Sequence, residues 1–306
     1  MHPILFEIPG LGFPIRSFGL MVVLGFLLGS YLFARLGERY SGNPEAEALG
    51  YANVPLWILG GILLGARGMY VLVEIFQQSP TGKEYLADPL KVFYYWEGGL
   101  VMYGGTFGGI AVGIWAANKY RLHVAHAFDL GLTAGFFGLS IGRIGCLLVG
   151  DDYGKKATGW AADLPFPVTI RVPELVKNPN YPKFESKEFV MPEGCLFGEE
   201  NAGELLWATQ PWMTINAILM GLIGLWLLKR RRYAGQVSVV LLLIYSIARF
   251  VIESFRGDKI RGLWFNDTLS TSQLVSVGLG LISLVLIIKW RGRRDENGGF
   301  APGVEA

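Results

Sequence analysis

SQLVSVGLGLISLVLIIK, residues 272–289, runs for seventeen positions without a charge before its closing lysine. Such a run suits one environment above all, because a helix of roughly 20 mostly apolar residues crosses the hydrocarbon core of a bilayer. Seven stretches of this kind occur, near 17–36, 54–75, 99–118, 127–149, 212–228, 236–254 and 272–289. The expected fold is therefore an all-α polytopic membrane protein with seven transmembrane helices. Composition agrees. Of 306 residues, 52% are apolar and 17% charged, whereas a soluble domain carries about 25% charged residues.

The opening MHPILFEIPGLGFPIRSFGL lacks the basic n-region and small-residue cleavage site of a secretory signal, so the first apolar run reads as a retained span. Basic residues set the orientation. The short loops after odd-numbered spans, with the C-terminal tail, hold twelve Lys and Arg; the N-terminus and the short even-numbered loops hold six. The N-terminus and the long segment 150–211 are thus expected outside, and the C-terminus inside. Four regions follow: spans one to four in 1–149, an extramembrane head in 150–211, spans five to seven in 212–289, and a polar tail, 290–306, read as disordered. VTIRV at 168–172 predicts some β structure in the head. Two cysteines, Cys146 and Cys195, are too few for a disulfide framework, and no disulfide is expected. A net charge of +2 gives no reason to expect nucleic acid as a partner. No metal or cofactor is expected.

Three arginines, Arg67, Arg143 and Arg249, lie within spans. One at the bilayer centre costs about 2.5–3.5 kcal/mol, so each needs compensation. Arg249 has Glu253 at i+4 on its own helix face. The other intramembrane acid is Asp129, with Asp151 and Asp152 at the outer end of span four. An arginine excess of this kind fits a cavity that holds an anion. In a membrane the natural anion is the phosphate of a lipid headgroup, which guanidinium groups contact in pairs of hydrogen bonds. Gly135, Gly138, Gly142 and Gly145 flank Arg143 on one helix side, where small residues let helices approach closely. A second glycine cluster, EGGLVMYGGTFGG at 97–109, suggests a bent entry to span three whose N–H groups bind an anion.

The chain resembles the bacterial prolipoprotein diacylglyceryl transferases. The resemblance runs through HPILFEI at 2–8, FGLMVVLGF at 18–26, GARGMYVL at 65–72 and DPLKVFYYWEGGLVMYGGTFGG at 88–109. It continues through GRIGCLLVGDDYG at 142–154, YSIARFVIESFRGD at 245–258 and LSTSQLVS at 269–276. It implies a seven-helix body with a periplasmic head in the bacterial inner membrane. It also implies transfer of a diacylglyceryl group from phosphatidylglycerol to the thiol of a lipobox cysteine in a secreted precursor, with release of glycerol phosphate. Phosphatidylglycerol, the precursor and membrane lipids are the implied partners. Arg143 and Arg249 match the two arginines of the family's core pattern. Arg143 is assigned to the substrate phosphate, and Arg249, held by Glu253, to the same pocket or its gate.

Several positions depart from the family's pattern. Tyr103-Gly104-Gly105 stands where it has His-Gly-Gly, Cys146 where it has Asn, Asp151 where it has Glu, and Phe18 where it has Tyr. Its His-Pro-Ser-Gln-Leu-Tyr-Glu keeps only Pro211. None of the three histidines, His2, His123 and His126, is placed to serve as an imidazole base. Asp151 becomes the acid–base candidate, and Tyr103 a hydrogen-bond donor to phosphate. Gly104, Gly105, Gly142, Cys146, Gly154 and Glu253 complete the expected binding set. Two alternatives stand beside transfer: a lipid-binding relative without activity, and a transferase with a different acceptor.

Overall fold

The structure, a computed structural model, describes residues 2–8, 13–95, 98–178, 189–258, 262–265 and 268–294. Trp96, Glu97 and the tail from 295 onward, two of the regions read above, lie outside the described residues. The chain divides into two compact units. One joins Met1–Leu32 to Gly131–Gly299, and the other is Phe33–Leu130.

A hairpin of β1 (Ile4–Ile8) and β2 (Phe13–Arg16) leads directly into α1 (Ser17–Tyr40). Ser17 ties the base of the ribbon, its N–H and hydroxyl both donating to the Pro3 carbonyl at 2.9 and 3.1 Å.

In the second unit α2 (Pro44–Phe76) is 33 residues long, about 50 Å at 1.5 Å per residue. It starts ten residues before the expected span. Asn43 caps it by accepting from the Ala46 N–H, Pro44 occupies the first turn, and Glu45 and Glu47 suit the positive end of the helix dipole. A short α3 (Pro80–Ala87), capped by Ser79, was not foreseen. The third apolar run forms α4 (Met102–Lys119). It packs on α2 through interlocked glycines: a Cβ at Gly61 or Gly65 would strike the Gly108 or Gly104 carbonyl, and the reverse holds. With only hydrogen at these positions the two backbones touch, the arrangement that small-xxx-small patterns permit.

The first unit contains the end of α5 (Val124–Val149), the segment 150–208, α6 (Thr209–Leu228), α7 (Gln236–Ser254) and α8 (Thr271–Lys289). Gly138 meets the Gly25 backbone of α1, and Gly145 lies against Phe18 and Met21, whereas Gly135 and Gly142 have nothing where a Cβ would be. Only two of the four glycines thus serve close packing. Segment 150–208 carries β3 (Thr169–Arg171), β4 (Val176–Lys177), β5 (Phe189–Val190) and β6 (Leu205–Trp207). β3 pairs antiparallel with β6, and β4 with β5. Val172, Phe197 and Leu206 form its small core, with Tyr153, Ile170, Met191 and Cys195 against it. A last ribbon joins β7 (Leu263–Trp264) to β8 (Leu269–Ser270). Ser270 and Gln273 then form a capping box that starts α8.

The architecture is helical, with four two-stranded ribbons added among the described residues. Among the described residues six helices, α1, α2, α5, α6, α7 and α8, are long and apolar enough to cross a membrane. α4 is not among them, because its five glycines and its polar end dilute the hydropathy.

Candidate functional site

The end of α5 sets the site. Gly150 takes a left-handed φ of +78°, and the N–H groups of Gly150 and Asp151 both donate to the Cys146 carbonyl at 2.9 Å. This closes the helix as glycine commonly does. Asp152 is also left-handed, at +53°. The turn thereby brings the Asp152 carboxylate back along the last two turns of the helix, where Oδ2 accepts from Arg143 Nη1.

The next residues are held from three directions. Thr209 Oγ1 donates to the Asp152 carbonyl at 2.6 Å, and Gln210 Nε2 to the Asp151 carbonyl at 2.8 Å. On one side the chain pairs with 205–207: Trp207 N–H donates to Lys155 at 3.0 Å and Ala157 N–H to Leu205 at 2.8 Å. On the other it pairs with 255–257: Lys155 N–H donates to Phe255 at 2.8 Å and Gly257 N–H to Tyr153 at 2.9 Å. Gly154 bridges to Arg256 at the centre, and a Cβ there would strike the Trp207 backbone. A Cβ at Gly257 would in turn meet the Gly154 carbonyl. Two glycines therefore let backbone distant in sequence come close enough to present Arg256 to Asp152.

The result is a continuous chain of charge. Asp152 Oδ1 accepts from Arg256 Nη2. Arg256 reaches Asp258 through Nε at 2.9 Å and Nη2 at 2.7 Å, and Glu253 through Nη1 at 3.4 Å. Glu253 accepts from Arg249 Nη2 at 2.9 Å. Arg249 also contacts Met213 Sδ at 3.2 Å and Ser272 Oγ at 3.3 Å. Glu253 is wholly buried, while the Arg143 and Asp152 side chains each keep 18% exposure, so the chain opens at its Arg143 end. Burial works against the charge of Arg256, but the hydrogen bonds to Asp258 and the charges of Asp152, Asp258 and Glu253 outweigh it and hold its proton more firmly than usual.

Two expectations change here. Two of the three expected arginines are matched by carboxylates: among the described residues Arg143 and Arg249 join Arg256 in a network with Asp152, Glu253 and Asp258. Arg67 plays a different part altogether. It is 1% exposed, and its donors go to the carbonyls of Val92 at 2.8 Å, Lys91 at 3.0 Å, Gly99 at 3.3 Å and Gly98. Tyr70, Tyr85 and Tyr95 lie within cation–π distance of it. Gly98 and Gly99, at φ +84° and +76°, thus direct carbonyls at a cation, where N–H groups had been expected to receive an anion.

Other expected residues fall as follows. Cys146 is buried, its Sγ 3.9 Å from Arg143 Nη1, and both it and Cys195 are free thiols. Burial pushes the Cys195 thiol up. Asp151 Oδ1 accepts from the Asp152 N–H at 2.9 Å; burial, then the charge of Asp152, raises its carboxyl above the ordinary range. Gly142 leaves open space beside Arg143. Tyr103, half-buried, stands in the first turn of α4 in the second unit. Gly104 and Gly105 face α2, Gly105 against Ile62. No group of three His, Cys, Asp or Glu side chains suited to a metal occurs among the described residues. Asp152, Arg256 and Asp258 were missed as site residues, since each reads as a loop charge; the spacing of Arg256 three residues after Glu253 was the available signal.

Fold and site define a polytopic helical membrane protein with a guanidinium–carboxylate network at the ends of two apolar helices. The chain belongs to the prolipoprotein diacylglyceryl transferase family, whose sequence pattern matches residues 3–289. It is 30% identical over 298 residues to phosphatidylglycerol–prolipoprotein diacylglyceryl transferase 2 of Clostridium perfringens (strain 13 / Type A), covering 96% of this chain and 98% of that one. It is 28% identical over 282 residues to the phosphatidylglycerol–prolipoprotein diacylglyceryl transferase of Sodalis glossinidius (strain morsitans), covering 90% and 89%.

Proposed function

We propose that this chain transfers the diacylglyceryl group of phosphatidylglycerol to the thiol of a lipobox cysteine in a precursor protein. One observation carries the reading. Arg143 is partly open and offers Nε and Nη2, which have no partner among the described residues, while Nη1 is committed to Asp152. A guanidinium edge of that kind fits two phosphate oxygens.

The step is a displacement at carbon. The precursor sulfur bonds to the glycerol carbon that carries the phosphate, the carbon–oxygen bond breaks, and glycerol phosphate leaves. The phosphate bears one negative charge as a diester and gains a second as it departs. Donors fixed beforehand stabilise that added charge best. The thiol proton passes to a base, for which Asp151, with its raised carboxyl, is the candidate. Tyr103 is the candidate hydrogen-bond donor carried by the second unit. Arg249, held by Glu253, lines the pocket or its gate, the open space at Gly142 gives the lipid room beside Arg143 and Cys146, and Gly154 serves by the close backbone approach it allows, as Gly104 and Gly105 do against α2.

The proposed topology has seven spans, α4 included, in the bacterial inner membrane. The N-terminus and the 150–211 head face the periplasm, where precursors arrive, and the C-terminal tail faces the cytoplasm. The twelve-to-six asymmetry of basic residues supports it.

The test uses purified protein in detergent with phosphatidylglycerol and a lipobox peptide, following release of glycerol phosphate. Release requires both substrates, and Arg143→Ala lowers it by about a hundred-fold or more, the scale for losing one charge-stabilising donor. Lipid binding without release would mark a binding relative with no transfer activity. Release with Arg143→Ala intact would sink the phosphate assignment.

A further inference from the structure

Asp152 has every polar atom engaged. Its carboxylate joins Arg143 to Arg256, its carbonyl accepts from Thr209, and its N–H donates to Asp151. It does so in the left-handed region, at φ +53°, which L-residues rarely adopt and which aspartate and asparagine tolerate best. Such a conformation persists where the surroundings over-determine it. Those surroundings are two backbone pairings and two side-chain hydrogen bonds, all falling within residues 151–157.

The effect falls on Arg143. A free arginine side chain has many rotamers and five donors. Binding Nη1 to a fixed carboxylate leaves Nε and Nη2 as the only edge for a ligand and removes most of the rotamer freedom. Arg256 is itself fixed, buried with Asp258 across Nε and Nη2. Position therefore passes outward from Arg256 to Asp152 to Arg143.

We propose that Asp152 is a positioning residue for transfer: held by Arg256, it orients the Arg143 guanidinium so that its free edge meets the phosphate. The proposal rests on the phosphate reading of Arg143. It also states that Arg256 acts on the reaction through Asp152 and touches no substrate.

Asp152→Asn is the informative change. Asparagine keeps the size and tolerates the backbone angle, but its amide nitrogen is a donor, so one of the two arginines loses its partner. In the full chain, kcat/KM for phosphatidylglycerol falls about a hundred-fold, the scale for a misplaced group near the reacting atoms. Asp152→Glu recovers part of that loss, and Arg256→Lys, which keeps the charge and loses the fork, reproduces it.

A double-mutant cycle on lipid affinity separates positioning from mere support of the fold. Arg143→Ala and Asp152→Asn each weaken binding of phosphatidylglycerol, and the double variant binds no more weakly than Arg143→Ala alone. Additive losses would overturn the proposal, as would wild-type kcat/KM in Asp152→Asn. If Arg143→Ala fails to weaken binding, the phosphate reading itself has failed. If Arg143→Ala weakens binding and Asp152→Asn does not, only the role of Asp152 is lost. Should Asp152→Asn not fold, Arg256→Lys in the same cycle with Arg143→Ala decides the matter.

Discussion

Arginines within apolar helices of this chain meet two fates. Arg67 is saturated by backbone carbonyls and tyrosine rings. Arg143 keeps donors in reserve. The residue type was legible in the sequence in both cases; the difference was not, because it depends on which atoms the fold brings to the guanidinium. Arg249 was legible further, since a partner at i+4 on one helix needs no tertiary structure. The partner of Arg143 is nine residues away around a left-handed turn. Asp151 offers a measurable consequence. Its folded pKa lies above the unfolded one, so folding favours the protonated form. Its contribution is least unfavourable below the unfolded value and becomes a penalty as pH rises through the folded one. Asp151→Asn keeps the oxygen that accepts from the Asp152 N–H and removes the charge. Its thermal midpoint exceeds that of the wild type at neutral pH, and the two converge in acid. If the residue is the base, the same variant is more stable and less active.

Helix cores followed the apolar runs closely: α7 spans Gln236–Ser254 and α8 begins one residue before its expected start. Helix beginnings were less legible where polar residues do the anchoring. α6 starts three residues early because Thr209 and Gln210 hold the 151–152 backbone, and α2 because a capped, acidic first turn extends it. Glycines show the same limit. Gly65 and Gly68 sit in one helix and look alike in sequence, yet a Cβ at Gly65 would strike the Gly104 carbonyl and one at Gly68 would meet nothing. Gly65→Ala is expected to destabilise the protein by about 1–3 kcal/mol, as overpacking does. Gly68→Ala is expected to be neutral or slightly stabilising, since alanine is the better helix former. Thermal unfolding in one detergent compares them directly, and equal effects would count against the glycine interlock of α2 with α4.

At the scale of the molecule, the alternation of apolar runs with basic and neutral loops made a multi-span helical protein readable before any contact was known. The β-platform beside the site was not readable, because it joins residues near 155, 206 and 256 by backbone hydrogen bonds that leave no pattern in side-chain type. The proposed topology makes a direct prediction. In a chain whose two cysteines are replaced, Glu174→Cys reacts with a membrane-impermeant thiol reagent on intact cells, whereas Arg230→Cys reacts only after permeabilisation; both positions are exposed. The reverse pattern would invert the orientation.

Arg256 and Asp152 are 104 residues apart in the chain. A ribosome adding about 5–20 residues per second therefore completes the helix bearing Arg143 roughly 5–20 seconds before Arg256 exists. During that interval the newborn chain holds a guanidinium and a carboxylate whose third member has not been made. The complete network is thus a late product of biosynthesis, and a polypeptide terminated before residue 256 would lack the arginine that holds Asp152.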